Sequence, residues 1–202
     1  QNENFELTVT TARTINVNIL GEVFTNGSFN ISAVNTAFNA LIAAGGPNDI
    51  GSVRNIKVLS AGKKPRILDV YKYLNNPLVS QEFYLSENDY IHVPVAQKVV
   101  TLTGAVQRPF RYELLDKENL KDLIGYAAGF KVNALKGNIQ IKRIEDDMEK
   151  IIDVNYLELE KNGGDFTLMN GDVITVKEIN VTASNYVIAT GAVQNPDTFA
   201  LK

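Results

Sequence analysis

The chain has 202 residues, is 45% hydrophobic and 21% charged, and carries a net charge of -3. That balance is ordinary for a globular protein and offers no broad electrostatic footprint for nucleic acid. It contains no cysteine and one histidine, and no apolar run long enough to cross a bilayer as a helix, which removes disulfides, thiol catalysis, Cys- or His-rich metal sites and a helical membrane span.

Taken in chain order, Phe5, Leu7 and Val9 alternate ahead of Ala12-Arg13, as a strand would. Ile15, Val17 and Ile19 then point one way and Asn16 and Asn18 the other, a half-buried strand. Asn26-Gly27 is a hairpin signal, and a partner strand follows through Phe29 and Ile31. Ala37, Ala40, Leu41 and Ala44 share one helical face, and Gly45-Gly46 stops the helix. Ile56 and Val58 open a second hairpin that returns through Ile67-Leu68. Asp69 to Leu74 reads as a short helical turn, and Ser86-Glu87-Asn88-Asp89 as the turn before a last strand.

The same order then repeats. Gly21-Glu22-Val23 returns as Gly104-Ala105-Val106, 83 residues on, and again as Gly191-Ala192-Val193, a further 87 on. Phe29 maps to Tyr112 and Phe199, and Ile31 to Leu114 and Leu201. Asn26-Gly27 sits where Pro109-Phe110 and Pro196-Asp197 follow. Ala44-Gly45-Gly46 maps to Ala127-Ala128-Gly129, and Leu120, Leu123, Ile124 and Ala127 form the second helical face. Asn55-Ile56 maps to Asn138-Ile139. A slip of one residue would match Asp69-Val70 to Asp153-Val154. The register returns with Asp89 and Ile91 on Asp172 and Ile174. A slip that recovers is the mark of a hairpin-loop insertion. The expected division is 1–14 as a preceding strand, 15–97 and 98–180 as two modules, and 181–202 as a linker and the start of a third. The small polar stretch Val181 to Asn185 is the linker. Ala96-Gln97-Lys98 offers no such slack, so the second module should pack closely on the first. From the opening at Gln1 and the end at Lys202, inside a strand pattern, both ends are expected to be cuts within a longer protein. Two hairpins, one main helix, a short turn and a closing strand define an α+β class: tandem β-grasp modules, each a mixed sheet covered by one helix.

Chemistry is sparse. His92 lies in the last strand of the first module, where the second has Thr175, and is expected to be an outward strand residue. Glu145, Asp146, Asp147 and Glu149 form the densest acidic group, yet they fall at a hairpin tip where the first module has Ala61-Gly62-Lys63-Lys64. The plain reading is a solvated turn. A sharper one has Lys63 and Lys64 attract Asp146 and Asp147 between neighbouring subunits. Gly45-Gly46 ends a helix and Gly163-Gly164 is a loop, so neither cradles phosphate. Among eight tyrosines, Tyr112 belongs to the core and Tyr126 lies near a helix end. Tyr71, Tyr73, Tyr84 and Tyr156 are the candidates for stacking on sugar rings or on a partner.

Val17 to Phe29, Ala44-Gly45-Gly46 and Asn88-Asp89-Tyr90-Ile91 resemble the soluble-ligand-binding β-grasp (SLBB) domain. So do Gly104-Ala105-Val106, Pro109, Tyr112, Ala127, Gly129 and Gly171-Asp172-Val173-Ile174. Gly21, Gly104, Gly191, Gly45, Gly46, Gly129, Asp89 and Asp172 carry that motif as structural residues. Asn26-Gly27 stands where Pro-Gly is usual, and Ala128 where a glycine is. Residues 5–14 resemble the last strand of the export domain that precedes such modules in Wza-like outer-membrane polysaccharide export proteins. The resemblance implies a periplasmic, non-catalytic scaffold or conduit without cofactor or metal, tied to the outer membrane by parts outside this sequence. Its implied partners are polysaccharide, further copies in a ring-like oligomer, and an inner-membrane export component. The alternative is a module that holds a small ligand or glycan on a sheet face or in an inter-module groove, without a conduit role.

Overall fold

The computed structural model describes residues 13–75, 83–179, 186–192, 194 and 197–200. The expected strand at Phe5, Leu7 and Val9, the linker at Val181 to Asn185, and the third-module matches Val193, Pro196 and Leu201 lie outside the described residues.

The first hairpin pairs β1 (Thr14–Gly21) with β2 (Gly27–Ser32). Then come α1 (Ala37–Ala43), β3 (Ile56–Leu59), β4 (Arg66–Leu68), α2 (Val70–Asn75) and β5 (Asp89–Val93). The strand order is β2-β1-β5-β3-β4, with β1 and β5 parallel and the other pairs antiparallel. The second sheet copies it. β6 (Val99–Gly104), β7 (Phe110–Glu113), α3 (Leu120–Tyr126), β8 (Ala134–Glu145), β9 (Met148–Val154), α4 (Tyr156–Lys161) and β10 (Val173–Glu178) give the order β7-β6-β10-β8-β9, again with its first and last strands parallel. A separate hairpin pairs β11 (Tyr186–Ala189) with β12 (Asp197–Ala200). The α+β class and the tandem β-grasp organisation follow from this topology.

The alternation along the strands sets each core. Val17, Ile19, Ile56, Val58, Ile91 and Val93 are fully buried in the first module. Val100, Leu102, Ile139, Ile141, Ile174 and Val176 occupy the corresponding places in the second. The helix faces fit the same scheme. Ala37, Ala40 and Leu41 are buried under α1, and Leu120, Leu123 and Ile124 under α3. The first module's smaller alanines leave room that Phe29, Phe38 and Tyr73 help fill. The Thr36 side chain caps α1 by accepting from the Asn39 amide, and Asp122 closes the start of α3 by accepting from the Asn119 amide.

The repeated glycines have a steric cause. Gly21 and Gly104 sit at φ +98° and +88°, and a Cβ there would overlap the carbonyl oxygen of Val93 or Val176 on the parallel last strand. Only glycine lets the two backbones approach while the chain turns out of the sheet. The next amides, Glu22 and Ala105, donate to those same carbonyls. Gly191 has φ +95°, though no atom lies near its Cβ position among the described residues. Gly45, Gly46 and Gly129 also have positive φ past their helices, and Ala128 holds φ +60° without being glycine.

Asp89 and Asp172 are buried in the turn before each last strand, accepting from the Ser86 and Met169 amides. Their arginines come from different strands. Arg143, on β8, grips Asp172 with two hydrogen bonds of 2.9 and 2.7 Å, whereas Arg66, on β4, approaches Asp89 at 3.7 Å. Ser60 occupies the first module's equivalent of Arg143, and Arg66 donates to its hydroxyl.

One repeat match needs correction. Ile56 pairs with Leu68 and Ile139 with Val154, so Leu68 corresponds to Val154 and Asp69 to Asn155. The slip in the second hairpin is therefore three residues, not one. The Asp-Val pairs coincide in letters only, because β8 and β9 run further before turning. That turn is two residues, Asp146 and Asp147, both at positive φ, the geometry whose twist suits a tight hairpin.

Candidate inter-module site

The first module's loop before β3 meets the second module's β7 and α3 around one buried cation. Arg54 is 2% exposed. Its Nε donates to Asp69 Oδ1 at 2.7 Å, and Asp69 also accepts from the Tyr71 and Lys72 amides, fixing the first turn of α2. Its other two nitrogens cross to the second module, donating to Glu118 Oε2 at 3.0 Å and Glu118 Oε1 at 2.8 Å. They reach the Glu113 carbonyl and the Tyr126 hydroxyl as well. The guanidinium lies 4.4 Å from the Tyr71 ring centroid and 5.1 Å from that of Tyr126. A planar fork can serve two carboxylates and two ring faces at once, which a lysine could not.

A reciprocal contact runs the other way. The Glu113 carboxylate of the second module accepts from Ser52 Oγ at 2.7 Å, Val53 N at 2.6 Å and Arg54 N at 3.1 Å. The Glu113 amide donates to the Tyr71 hydroxyl, and Arg111 donates to the Asp49 carbonyl. Each module thus supplies a buried charge that the other satisfies.

The electrostatics follow from this pairing. Burial alone would weaken the Arg54 cation, but the bonds and charges of Glu118 and Asp69 outweigh it and hold its pKa above the ordinary arginine value. Burial would raise Glu118, yet its bonds from Arg54, Tyr126 and the Leu115 amide prevail and keep its carboxyl below the usual range. Burial together with donation to Glu118 pushes the Tyr126 phenol up to about 12. Burial likewise raises Tyr71.

Beside the clamp lies an aromatic groove of about 490 Å³. Tyr71 and Leu74 of α2 form one wall. Arg108, Pro109, Phe110 and Tyr112 from the β6–β7 hairpin, with Gly125 and Tyr126 of α3, form the other. Tyr71 meets Tyr126 edge-on at 5.0 Å and Tyr112 at 6.5 Å, and Phe110 meets Tyr112 at 6.3 Å.

The four tyrosines singled out from the sequence part company here. Tyr71 lies at the joint. Tyr84 is exposed and bridges to Thr36. Tyr73 packs on Phe38 and bonds Thr36, and Tyr156, 6% exposed, packs on Phe130 inside the second core. Tyr156 is therefore a core residue of the second module, and Tyr73 is half-buried, packed against the first module's core. Lys63 and Lys64 lie at the β3–β4 tip, and Asp146 and Asp147 at the β8–β9 tip, where Lys150 pairs with Glu145 and Asp146. No ion pair joins the two tips among the described residues. His92, half-buried, alternates with the inward Ile91 and Val93. Arg54, Glu113 and Glu118 escaped the sequence reading. The signal was their absence from the repeat: Gly137 stands at the place of Arg54, and Asn30 and Asn35 at those of Glu113 and Glu118.

Fold and joint together define a tandem β-grasp protein whose two five-stranded modules are locked by a shared buried ion cluster. The family model of the SLBB domain matches residues 99–152, from β6 to within β9 of the second module. The first module has the same strand order, and the pair is consistent with tandem SLBB modules. No curated protein matches the chain. No helix among the described residues is long and apolar enough to cross a membrane.

Proposed function

We propose that this chain is a periplasmic scaffold and conduit portion of a capsular or extracellular polysaccharide export protein. It works without catalysis, through module stacking and ring-like self-association. The observation that carries this reading is the Arg54 clamp. Two small domains linked only by a short connection would rock against each other. Here a buried cation satisfied from both sides makes them one stiff unit, as the wall of a polymer channel requires. The SLBB match adds a domain type that occurs in polysaccharide export proteins. In this reading the modules face an inner-membrane export partner, and attachment to the outer membrane lies in other parts of the protein.

Deleting the coding segment for residues 14–179 from the chromosomal gene tests the role. Loss of surface polysaccharide with retained synthesis is the expected result. Unchanged surface polysaccharide would sink the proposal. Crosslinking in the envelope should yield a ladder ending at a closed oligomer, whereas a strictly monomeric protein would remove the ring.

A further inference from the structure

We infer that the groove between the modules holds a uronate-bearing segment of an acidic polysaccharide, with a sugar carboxylate on Arg108 and sugar ring faces on Phe110 and the neighbouring tyrosines. The inference deepens the export reading by naming the polymer's chemical class, and it rests on that reading for the polymer's presence.

The groove's volume falls within the range of small-ligand sites, enough for about two sugar rings. Its phenols are already engaged. The Tyr112 hydroxyl donates to the Arg108 carbonyl at 2.7 Å, that of Tyr126 donates to Glu118 at 2.6 Å, and that of Tyr71 accepts from the Glu113 amide. The rings are therefore pinned by their polar ends and by edge contacts, and what they offer an occupant is apolar surface. Phe110 and Leu74 add to it, 71% and 65% exposed. An occupant must cover apolar area without asking much of the walls by way of hydrogen bonds. The C–H face of a pyranose does so on an aromatic ring.

Charge selects among sugars. The acids behind the groove are spoken for: Asp69 and Glu118 by Arg54, Glu113 by three donors from the first module. The Arg108 side chain engages no carboxylate among the described residues; its backbone carbonyl accepts from Tyr112 and its amide donates to the Ala127 carbonyl. Among the described residues that line the groove it is the one charged side chain, and its fork matches a carboxylate with two parallel bonds. An apolar floor with a single free guanidinium at its rim is complementary to a hexuronate and mismatched to a neutral hexose.

Titration of the purified chain with oligogalacturonate, read by tyrosine fluorescence, tests this, since the chain has eight tyrosines and no tryptophan. Saturable binding is expected, weakened about tenfold in Arg108→Gln and in Phe110→Ala, and about tenfold weaker for maltooligosaccharides of equal length. Both positions are exposed, so circular dichroism should be unchanged. Lys63→Glu/Lys64→Glu should bind as the parent does. Absence of saturable binding overturns the inference, as does equal binding by the parent and the two groove variants. Galacturonic acid binding as tightly as its oligomer would mark a small-acid site and overturn the polymer. Self-association abolished by Phe110→Ala, with no sugar bound, would assign the groove to a second copy. If binding fails while the chromosomal deletion still blocks export, only the groove assignment falls.

Discussion

Replacing Arg54 by leucine removes one side chain and strands several groups. Asp69 loses its 2.7 Å bond, Glu118 loses bonds of 2.8 and 3.0 Å, and the Glu113 carbonyl loses one of 3.2 Å. Asp69 keeps two amides and Glu118 keeps the Tyr126 hydroxyl and the Leu115 amide, so neither is wholly bare. Breaking a buried pair by deleting one partner costs about 3–5 kcal/mol. The Glu118 side chain is 16% exposed and can regain some water, which places the loss toward the lower end, near 3 kcal/mol on the same scale. The two lost ring contacts add about 1 kcal/mol together. Urea unfolding, followed by tyrosine fluorescence and circular dichroism, should change from one transition in the parent to two in Arg54→Leu. The triple variant Arg54→Leu/Asp69→Asn/Glu118→Gln should recover part of the loss, because no uncompensated charge is left inside. A single transition in Arg54→Leu with a loss under about 1 kcal/mol, or a triple variant no better than the single, would refute the clamp.

Other outcomes follow from the same structure. The folded Glu118 carboxyl titrates below its ordinary value of 4.5, so its contribution is complete above that pH and fades as the pH falls through the lower folded value. Coupling between the modules should weaken on acidification below about pH 4.5, seen as the split transition just described, and Glu118→Gln should remove that dependence. At the alkaline end, Tyr126 stays protonated up to about 12 while an unfolded tyrosine ionises near 10, so stability declines between those values; phenolate absorbance should show Tyr126 among the late-ionising tyrosines, and Glu118→Gln should advance it. Gly104→Ala should cost about 3 kcal/mol or more, since the added methyl meets the Val176 carbonyl, whereas Gly129→Ala, at similar φ but in open space, should cost about 1 kcal/mol. Ala128→Gly should stabilise by about 0.5–1 kcal/mol in chemical denaturation, because Ala128 holds φ +60° at an exposed position.

The architecture was legible because apolar alternation and glycine punctuation recur 83 residues apart, and both are set within a module. Ile19 and Leu102, or Leu41 and Ile124, mean the same thing in each copy because each fills the same inner face. The joint was illegible for the opposite reason. Arg54, Glu113 and Glu118 do their work between copies, so a comparison that rewards identity passes over them. Glycine at 137 and asparagine at 30 and 35 show a cation and two acids present where each is needed and missing where it is not. In a tandem repeat, charge differences at matching places are the record of the contact. The misread slip at Asp153-Val154 has a related cause, since letters repeat more easily than strand partners. Tyr156 could not be told from a surface tyrosine because a six-residue helix shows too little periodicity to separate its inner face from its outer one.

The parallel pairing of β1 with β5, and of β6 with β10, fixes how the chain would respond to stretching. In each sheet the chain enters at the start of one central strand and leaves at the far end of its parallel neighbour. A pull along the polypeptide therefore slides those two strands past each other, and all the hydrogen bonds between them resist together instead of parting one at a time. Such a string of modules keeps its length under tension until a whole ladder fails at once.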